Sequence, residues 1–421
     1  MKDNIFITKY MPITLNMQID IKSIFDSDAD IKLTNNIDYP KCSQGFHHYI
    51  HSLKKDLEVL KQFENKKKVY LVTNNFEIEI DKYDKSISLE TNKFLNIKDK
   101  VPKIISLDFY KLWEIMFMFD LFDLNGTIKT AHLSEDGSML QSILHFREKY
   151  SKDAKSDKYY IIKQDSSLKV NELNKDFISY YDKKITSSTI DNIKDKLDLI
   201  VAGSAFTFHD DNENIIEQEY YSLLFENILK AVKVQKKGGS FICKFFETYT
   251  EVSAKFISIL VSLYDKVFFI KPMTSKPSES EKFVVCIGFK LSSVTDVLKK
   301  LEKMYDIYNK NNKMKICDIF NSYEVNKKLK IRLIKLNLLT SNNLFKAVGE
   351  IVNFINNQDY YGDTYETYRD KQIEANNFWV ETFFPDQKDF KEVKKKIVDA
   401  SFLTNKMNVD DAIYLEKKLD L

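Results

Sequence analysis

The sequence is nearly devoid of arginine, sparing in cysteine, without net charge and without a long apolar run. Only Arg147, Arg332 and Arg369 stand among the lysines, and with abundant Asn and Ile this reads as the coding bias of an AT-rich genome. The lysine excess by itself therefore says little about function. Four cysteines (Cys42, Cys243, Cys286, Cys317) are widely spaced with no CxxC pair, which leaves a zinc knuckle unsupported and points to a reducing compartment. Cys243 and Cys286 sit in apolar strand-like runs, where a buried free thiol is expected. The longest apolar stretches, such as Phe256–Tyr264, fall well short of the roughly 20 residues that span a bilayer. The first residues carry Lys2, Asp3 and Lys9 and no sustained apolar segment, so no signal peptide is read. Basic and acidic residues nearly cancel, 64 against 62, a net charge of +2. That excludes binding to nucleic acid by bulk charge, though not through a local basic groove.

What is present is a globular chain. Its 43% hydrophobic and 13% aromatic content excludes a largely disordered protein. At roughly 100–200 residues per domain, 421 residues suggest two or three domains. Residues 1–100 read as a mixed α+β extension: a helix over Gly45–Lys66, then strand-like runs at Val69–Ile80 and Ser86–Leu89. Residues 101–290 alternate. Strand candidates at Tyr159–Lys163, Asp198–Phe206, Gly239–Phe245, Val267–Ile270 and Phe283–Phe289 are separated by helical patterns such as Glu219–Lys236 and Glu251–Tyr264. This predicts an α/β fold with a mostly parallel sheet covered on both faces. Residues 291–421 read as a helical region that packs on the α/β body or on a protein partner.

In open α/β sheets ligands sit at the carboxyl ends of the strands, so candidate chemistry is sought there. The turn Ser134–Met139 follows a short run at Ile128–Leu133 and opens a helix, which suits a cofactor held by backbone N–H groups, although one glycine alone also fits an ordinary turn. Lys244 ends an apolar strand opened by Gly238 and Gly239; such a lysine either reaches solvent or is functional. The loop Lys271–Glu281 holds two prolines, hydroxyls and lysines, suiting phosphate or sugar contacts as well as a solvated loop. Lys111 precedes an aromatic-rich helix, Ile115–Phe122, and alone reads as a solvated helix residue. His47 and His51, at i and i+4, have no third ligand spaced to join them, so a surface helix with histidines is expected there and no metal site. The rings of Trp113, Phe117, Phe119 and Phe122 have core spacing. Tyr360, Tyr361, Tyr365 and Tyr368 suggest an interface.

Together these segments resemble the FtsJ-like family of RNA ribose 2′-O-methyltransferases, most of all its mRNA cap-methylating branch, including forms of large nucleocytoplasmic DNA viruses. The motifs that carry the likeness are Gly238–Lys244, similar to the family's Gly-Gly-x-x-x-x-Lys strand, and Lys271–Phe283, similar to its Lys-Pro-x-x-Ser-[Arg/Lys]-Pro-x-x-Ser-Glu block. Asp182–Thr186 and Gln218-Glu219 add to it. The likeness covers about 101–290 and implies a Rossmann-like, S-adenosylmethionine-dependent methyltransferase domain acting on 5′-end or capped RNA. It implies Lys111, Lys244 and Glu281 as three of a catalytic Lys-Asp-Lys-Glu set. Lys244 would be the base, its pKa lowered from about 10.4 by desolvation and a second cation. Glu135, Gly137, Ser138, Asp165 and Gly203 would line the cofactor site, and Lys271, Ser275, Lys276 and Ser278 would contact RNA. No membrane association is implied, and the setting would be cytoplasmic, in a viral factory or virion.

Two departures stand out. The strand Leu197–Ala202 should be followed by the catalytic Asp, but Gly203-Ser204-Ala205 follows, with Asp210 and Asp211 further on. The family's Glu-x-Pro-Gly-Gly-Phe loop stands as Glu135-Asp136-Gly137-Ser138-Met139, one residue short and without Pro. These changes make an inactive homologue, binding RNA or scaffolding another subunit, the alternative to an enzyme, with a virion structural protein a third.

Overall fold

The computed structural model describes residues 13–15, 17–36, 44–63, 69, 72–76, 87–97, 101–133, 137–162, 175–203, 216–311 and 313–399. Among these, eight strands form one sheet: β1 (Ile13–Thr14), β3 (Lys129–His132), β4 (Lys158–Ile162), β5 (Ile185–Ser188), β6 (Leu197–Ala202), β7 (Gln235–Phe245), β8 (Tyr264–Ile270) and β9 (Lys282–Phe289). Their spatial order is β1-β8-β9-β7-β6-β3-β4-β5. The run β5-β4-β3-β6-β7 is parallel, and β9 enters antiparallel between β7 and β8. This is a Rossmann-like α/β arrangement, with the strand order reversing on either side of β3.

The period of two along each strand sorts the side chains into two cores. On β7, Phe241, Cys243 and Phe245 enter one core and Ile242 the other; on β9, Val284 and Cys286 join the first, Phe283 and Val285 the second. The first core is closed by helices such as Ile216–Val234 and Glu251–Leu263, the second by Asp108–Met118 and Ser138–Tyr150. Each fully buried leucine or phenylalanine on these helices contributes roughly 1.5–3 kcal/mol. Cys243 and Cys286 are buried free thiols, and Trp113, Phe117 and Phe119 are core residues, as their patterns predict. Of the two glycines that open the lysine strand, Gly238 has φ +79° with nothing within 4 Å of its would-be Cβ, and Gly239 has a packing reason. A Cβ on Gly239 would lie 2.9 Å from the Asp198 and Lys236 carbonyl oxygens, where the β6–β7 register shifts.

Both flanks share these cores: Leu15 and Leu333 belong to the first, Trp379 and Phe383 to the second. Three local expectations fail. Of Ser86–Leu89, Ser86 lies outside the described residues and Ile87–Leu89 are helical, opening the helix Ile87–Phe94, because a four-residue alternation is too short to outweigh the helix-forming residues after it. Of Val69–Ile80, Val69, Val72 and Thr73 are helical, and 70, 71 and 77–80 lie outside the described residues. The tail is not all helical, since β10 (Lys315–Ile319) pairs antiparallel with β2 (Ile31–Thr34), a partner in the N-terminal region.

Candidate active site

The centre of the site is built by three elements. Helix α1 (Asp108–Met118) puts Asp108 in its first turn and Lys111 three residues on, on the same face. Strand β7 carries Lys244 to its carboxyl end, in register with Phe283 of β9. Glu281, two residues before Phe283, therefore lies on the same face as Lys244. The four side chains close into one cluster. Lys111 Nζ lies 2.7 Å from Asp108 Oδ1 and 2.6 Å from Glu281 Oε1. Lys244 Nζ lies 3.0 Å from Asp108 Oδ2 and 3.1 Å from Glu281 Oε2. Each carboxylate thus bridges both lysines. The side chains of Lys111, Lys244 and Glu281 are 9%, 4% and 8% exposed, and Asp108 is the most open at 15%. The expectation of a solvated Lys111 fails, because the first turn of the helix is turned into the sheet edge.

Charge balance sets the protonation states. Burial alone would push both carboxyls up, but the lysines outweigh it and hold Asp108 and Glu281 below the usual carboxylate range. Burial alone would push the lysines down, but the two carboxylates outweigh it and raise Lys111 and Lys244. The expected depression of Lys244 is not found. Its neighbouring cation counts for less than the two anions that hold it.

The loop between β8 and β9 is fixed from beneath. Glu114, on α1 and buried, accepts from the Met273 and Thr274 N–H groups at 2.6 and 3.1 Å and from Trp379 Nε1 at 2.9 Å. Burial pushes its carboxyl up to about 7, hydrogen bonds opposing. Of the residues expected to contact RNA, Ser275 is buried and donates to Glu281 Oε1 at 3.2 Å. Lys271 donates to the Glu279 and Glu281 carbonyls at 2.6 and 2.9 Å, and burial lowers it to about 8. Ser278 is buried, and Lys276 alone stands well into solvent, 3.4 Å from Glu279. A second group adjoins this loop. Glu247 accepts from Lys54 at 2.8 Å and Ser280 at 3.2 Å and meets His51 Nε2 at 3.1 Å. His51 and Lys54 lie on α2 (Gln44–Lys55), so His51, read from sequence as a surface residue, is buried against an acid from the sheet edge.

The cofactor side is built from β3, β6 and α3 (Ser138–Tyr150). Gly137 is the N-cap of α3 with φ +79°, and Ser138 Oγ donates to the Ser106 carbonyl at 3.2 Å. Gly203 ends β6. At both glycines a Cβ would meet the protein itself: Met139 Sδ at 2.0 Å from Gly203, Phe177 Cδ1 at 3.1 Å from Gly137. Glu135, Asp165, Asp210 and Asp211 lie outside the described residues. The helix N-terminus at the end of β3, with no capping side chain on Gly137, suits the carboxylate end of S-adenosylmethionine. At Gly203, by contrast, the room left by the missing side chain holds Met139. Among the described residues no group of three His, Cys, Asp or Glu could hold a metal, and no helix is long and apolar enough to cross a membrane.

Asp108, His51, Lys54 and Glu247 were not singled out as site residues by the sequence. Asp108 left one signal, its i,i+3 spacing to Lys111; the others left none.

Residues 108–289 match the model of the FtsJ-like methyltransferases, from Asp108 to the end of β9. This part, less than half of the chain, is similar to that family. Its similarity to named proteins is local. A cap-specific mRNA (nucleoside-2′-O-)-methyltransferase 1 of Ailuropoda melanoleuca is 42% identical over 79 residues, 19% of this chain and 10% of that protein. An inactive cap-specific mRNA (nucleoside-2′-O-)-methyltransferase 1B of Caenorhabditis briggsae is 32% identical over 125 residues, 29% of this chain and 15% of the relative. An uncharacterized protein of Acanthamoeba polyphaga mimivirus is 22% identical over 276 residues, 65% of either chain. The chain thus spans a tenth to about a seventh of the length of the two named methyltransferases.

Proposed function

We propose that residues 108–289 form an RNA ribose 2′-O-methyltransferase site acting near the 5′ end of mRNA. The observation that carries this reading is the bridging of Lys111 and Lys244 by Glu281, at 2.6 and 3.1 Å, at the carboxyl edge of the sheet. A ribose hydroxyl is a poor nucleophile and must shed its proton as it attacks. S-adenosylmethionine, when bound, supplies an electrophilic methyl group, and the N-terminus of α3 with Gly137 and Ser138 would hold its carboxylate. Lys244 enters as an ammonium. It would orient the hydroxyl by donating to one of the oxygen's lone pairs, leaving the other to take the methyl group as its bond to sulfur breaks. As the C–O bond forms, that oxygen becomes strongly acidic; its proton passes to Lys244 while Lys244 gives one to a carboxylate behind it. Lys276 and the loop around it would steer the RNA backbone. The setting in keeping with the mimivirus relative is viral mRNA capping in the cytoplasm, with a protein partner on the C-terminal helices.

A second reading, a family member that binds RNA without catalysis, is favoured by one observation: Met139 and Phe177 pack against the two cofactor-side glycines. Calorimetric titration with S-adenosylmethionine and S-adenosylhomocysteine separates the two. Micromolar binding, followed by methyl transfer to capped RNA that Lys244→Ala abolishes, is the expected outcome. No binding at millimolar ligand would leave the second reading.

A further inference from the structure

We infer that Asp108 has taken the place of the acid that the family carries at the end of β6, and is the positioning residue for Lys244. This rests on the methyltransferase reading above. Three observations lead to it. First, the strand-end position is closed to an acid. Gly203 stands there, and a Cβ would lie 2.0 Å from Met139 Sδ and 2.6 Å from its Cε. Met139 is fully buried, so it has no solvent to swing into. Second, the missing charge is present from another direction. Asp108 Oδ2 reaches Lys244 Nζ at 3.0 Å across 136 residues of chain, while Oδ1 holds Lys111 at 2.7 Å. A solvated i,i+3 helix pair would use the second interaction only. Third, the carboxylate is held where its charge is favoured. It lies in the first turn of α1, at the positive end of the helix dipole, and its own N–H donates to Ser106 Oγ at 3.3 Å. Glu281 bridges the same two lysines. Two cations and two anions therefore close one cluster, as a Lys-Asp-Lys-Glu set requires, with the Asp entering from the helix instead of the strand.

The arrangement has a consequence for the reaction. An acid at the end of β6 would sit on the cofactor side of Lys244, whereas Asp108 sits on the helix that carries the neighbouring cation. The ammonium of Lys244 is thereby directed by α1, and the end of β6 is left to Met139.

The experiment uses the full chain and capped RNA, with methyl transfer measured under single-turnover conditions from pH 6 to 10. Asp108→Asn, which keeps shape and removes charge, is expected to lose about 100-fold in rate and to move the alkaline limb of the pH profile to lower pH. In an Asp108→Ala background, Gly203→Asp combined with Met139→Ala restores an acid at the strand end and is expected to recover at least about tenfold of that loss. Wild-type rate and an unchanged profile for Asp108→Asn would overturn the inference. If Asp108→Asn fails to fold, Asp108→Glu carries the same test, because it displaces the carboxylate by one methylene: a displaced profile supports the inference and an unchanged one overturns it. Should the wild-type chain transfer no methyl group, the proposed function fails on its own. Asp108 is then judged by ¹⁵N titration of the lysine ammonium groups. A fall in the Lys244 pKa on Asp108→Asn sustains the coupling, and no change removes it.

Discussion

On the β7–β9 side of the sheet's carboxyl edge, two lysines and two carboxylates make four contacts between 2.6 and 3.1 Å. On the β3–β6 side of the same edge, the two glycines are met by Met139 and Phe177. One side is a charge cluster held by long-range ion pairs, and the other is packed like core. Under the proposed methyl transfer, the contrast shows where each half would depend on side chains. The acceptor half needs charged groups at fixed distances, so its residues leave motifs. The donor half needs backbone and space, and space can be taken by any neighbour without a trace in the local sequence.

The largest effect that would break this contrast is on the charged side. Lys244→Ala is expected to lower methyl transfer by about 10²–10⁴-fold, the range of a lost proton-transfer group. Retention of activity would mean that the cluster is structural and the two sides are alike in doing no chemistry. Glu281→Gln comes next. It leaves two buried lysines sharing one carboxylate, and breaking a buried ion pair from one side costs about 3–5 kcal/mol. Denaturant unfolding would read it, and a loss below about 1 kcal/mol would place the cluster among weak surface pairs.

The same cluster gives a pH signature with a defined sign. Asp108 and Glu281 titrate below their ordinary range when folded, so their contribution is present above about pH 4–5 and is lost as pH falls through the lowered values. Lys111 and Lys244 are raised, so theirs is present below about pH 10.4 and is lost as pH climbs through the raised values. Stability from the cluster should be flat between these limits and fall on both sides. In Glu281→Gln the acid-side fall should shrink, a difference that urea unfolding at pH 3 and pH 7 would measure.

How much of this was legible follows from which interactions are local. The strands β3, β4, β6, β7, β8 and β9 were marked by apolar runs whose ends shift by a few residues, whereas the short β5 was not marked as a strand. Lys244 and Glu281 were legible because each stands at a fixed offset inside its own motif. Asp108 was not. Its tie to Lys244 spans 136 residues, and an Asp three residues before a Lys looks like any helix pair. His51 was taken for a surface residue because its acid, Glu247, lies 196 residues away. Strand β10 escaped for the same reason, as Ile31–Thr34 and Lys315–Ile319 are short and each gains order only from the other. The sequence marked the loop before Met139 as altered; its residues 134–136 lie outside the described residues, and which side chains fill the room beside Gly137 and Gly203 depends on packing.

A smaller effect sharpens the uncharged side. Gly203→Ala forces Met139 aside in a filled core, and overpacking of that kind costs about 1–3 kcal/mol. Gly126→Ala, at a glycine with nothing within 4 Å of its would-be Cβ, should change stability by less than about 0.5 kcal/mol. Equal losses in thermal melts would mean that Met139 yields freely, and the side packed like core would then be open to a ligand.

The smallest effect separates the cluster from the groove that would lead to it. Lys276 is 42% exposed and pairs at 3.4 Å with Glu279, itself 50% exposed, so the pair is solvent-screened and its loss should leave stability unchanged. Its distance from the buried lysines in character makes it a probe of RNA alone. If the loop after β8 follows the RNA backbone, Lys276→Ala should weaken binding evenly across sequences and reduce the salt slope of the affinity by about one. Fluorescence anisotropy with capped and uncapped RNA at several salt concentrations would read this. An unchanged slope would move the RNA path off this loop and toward the side of α1, where Asp108 is the most open member of the four.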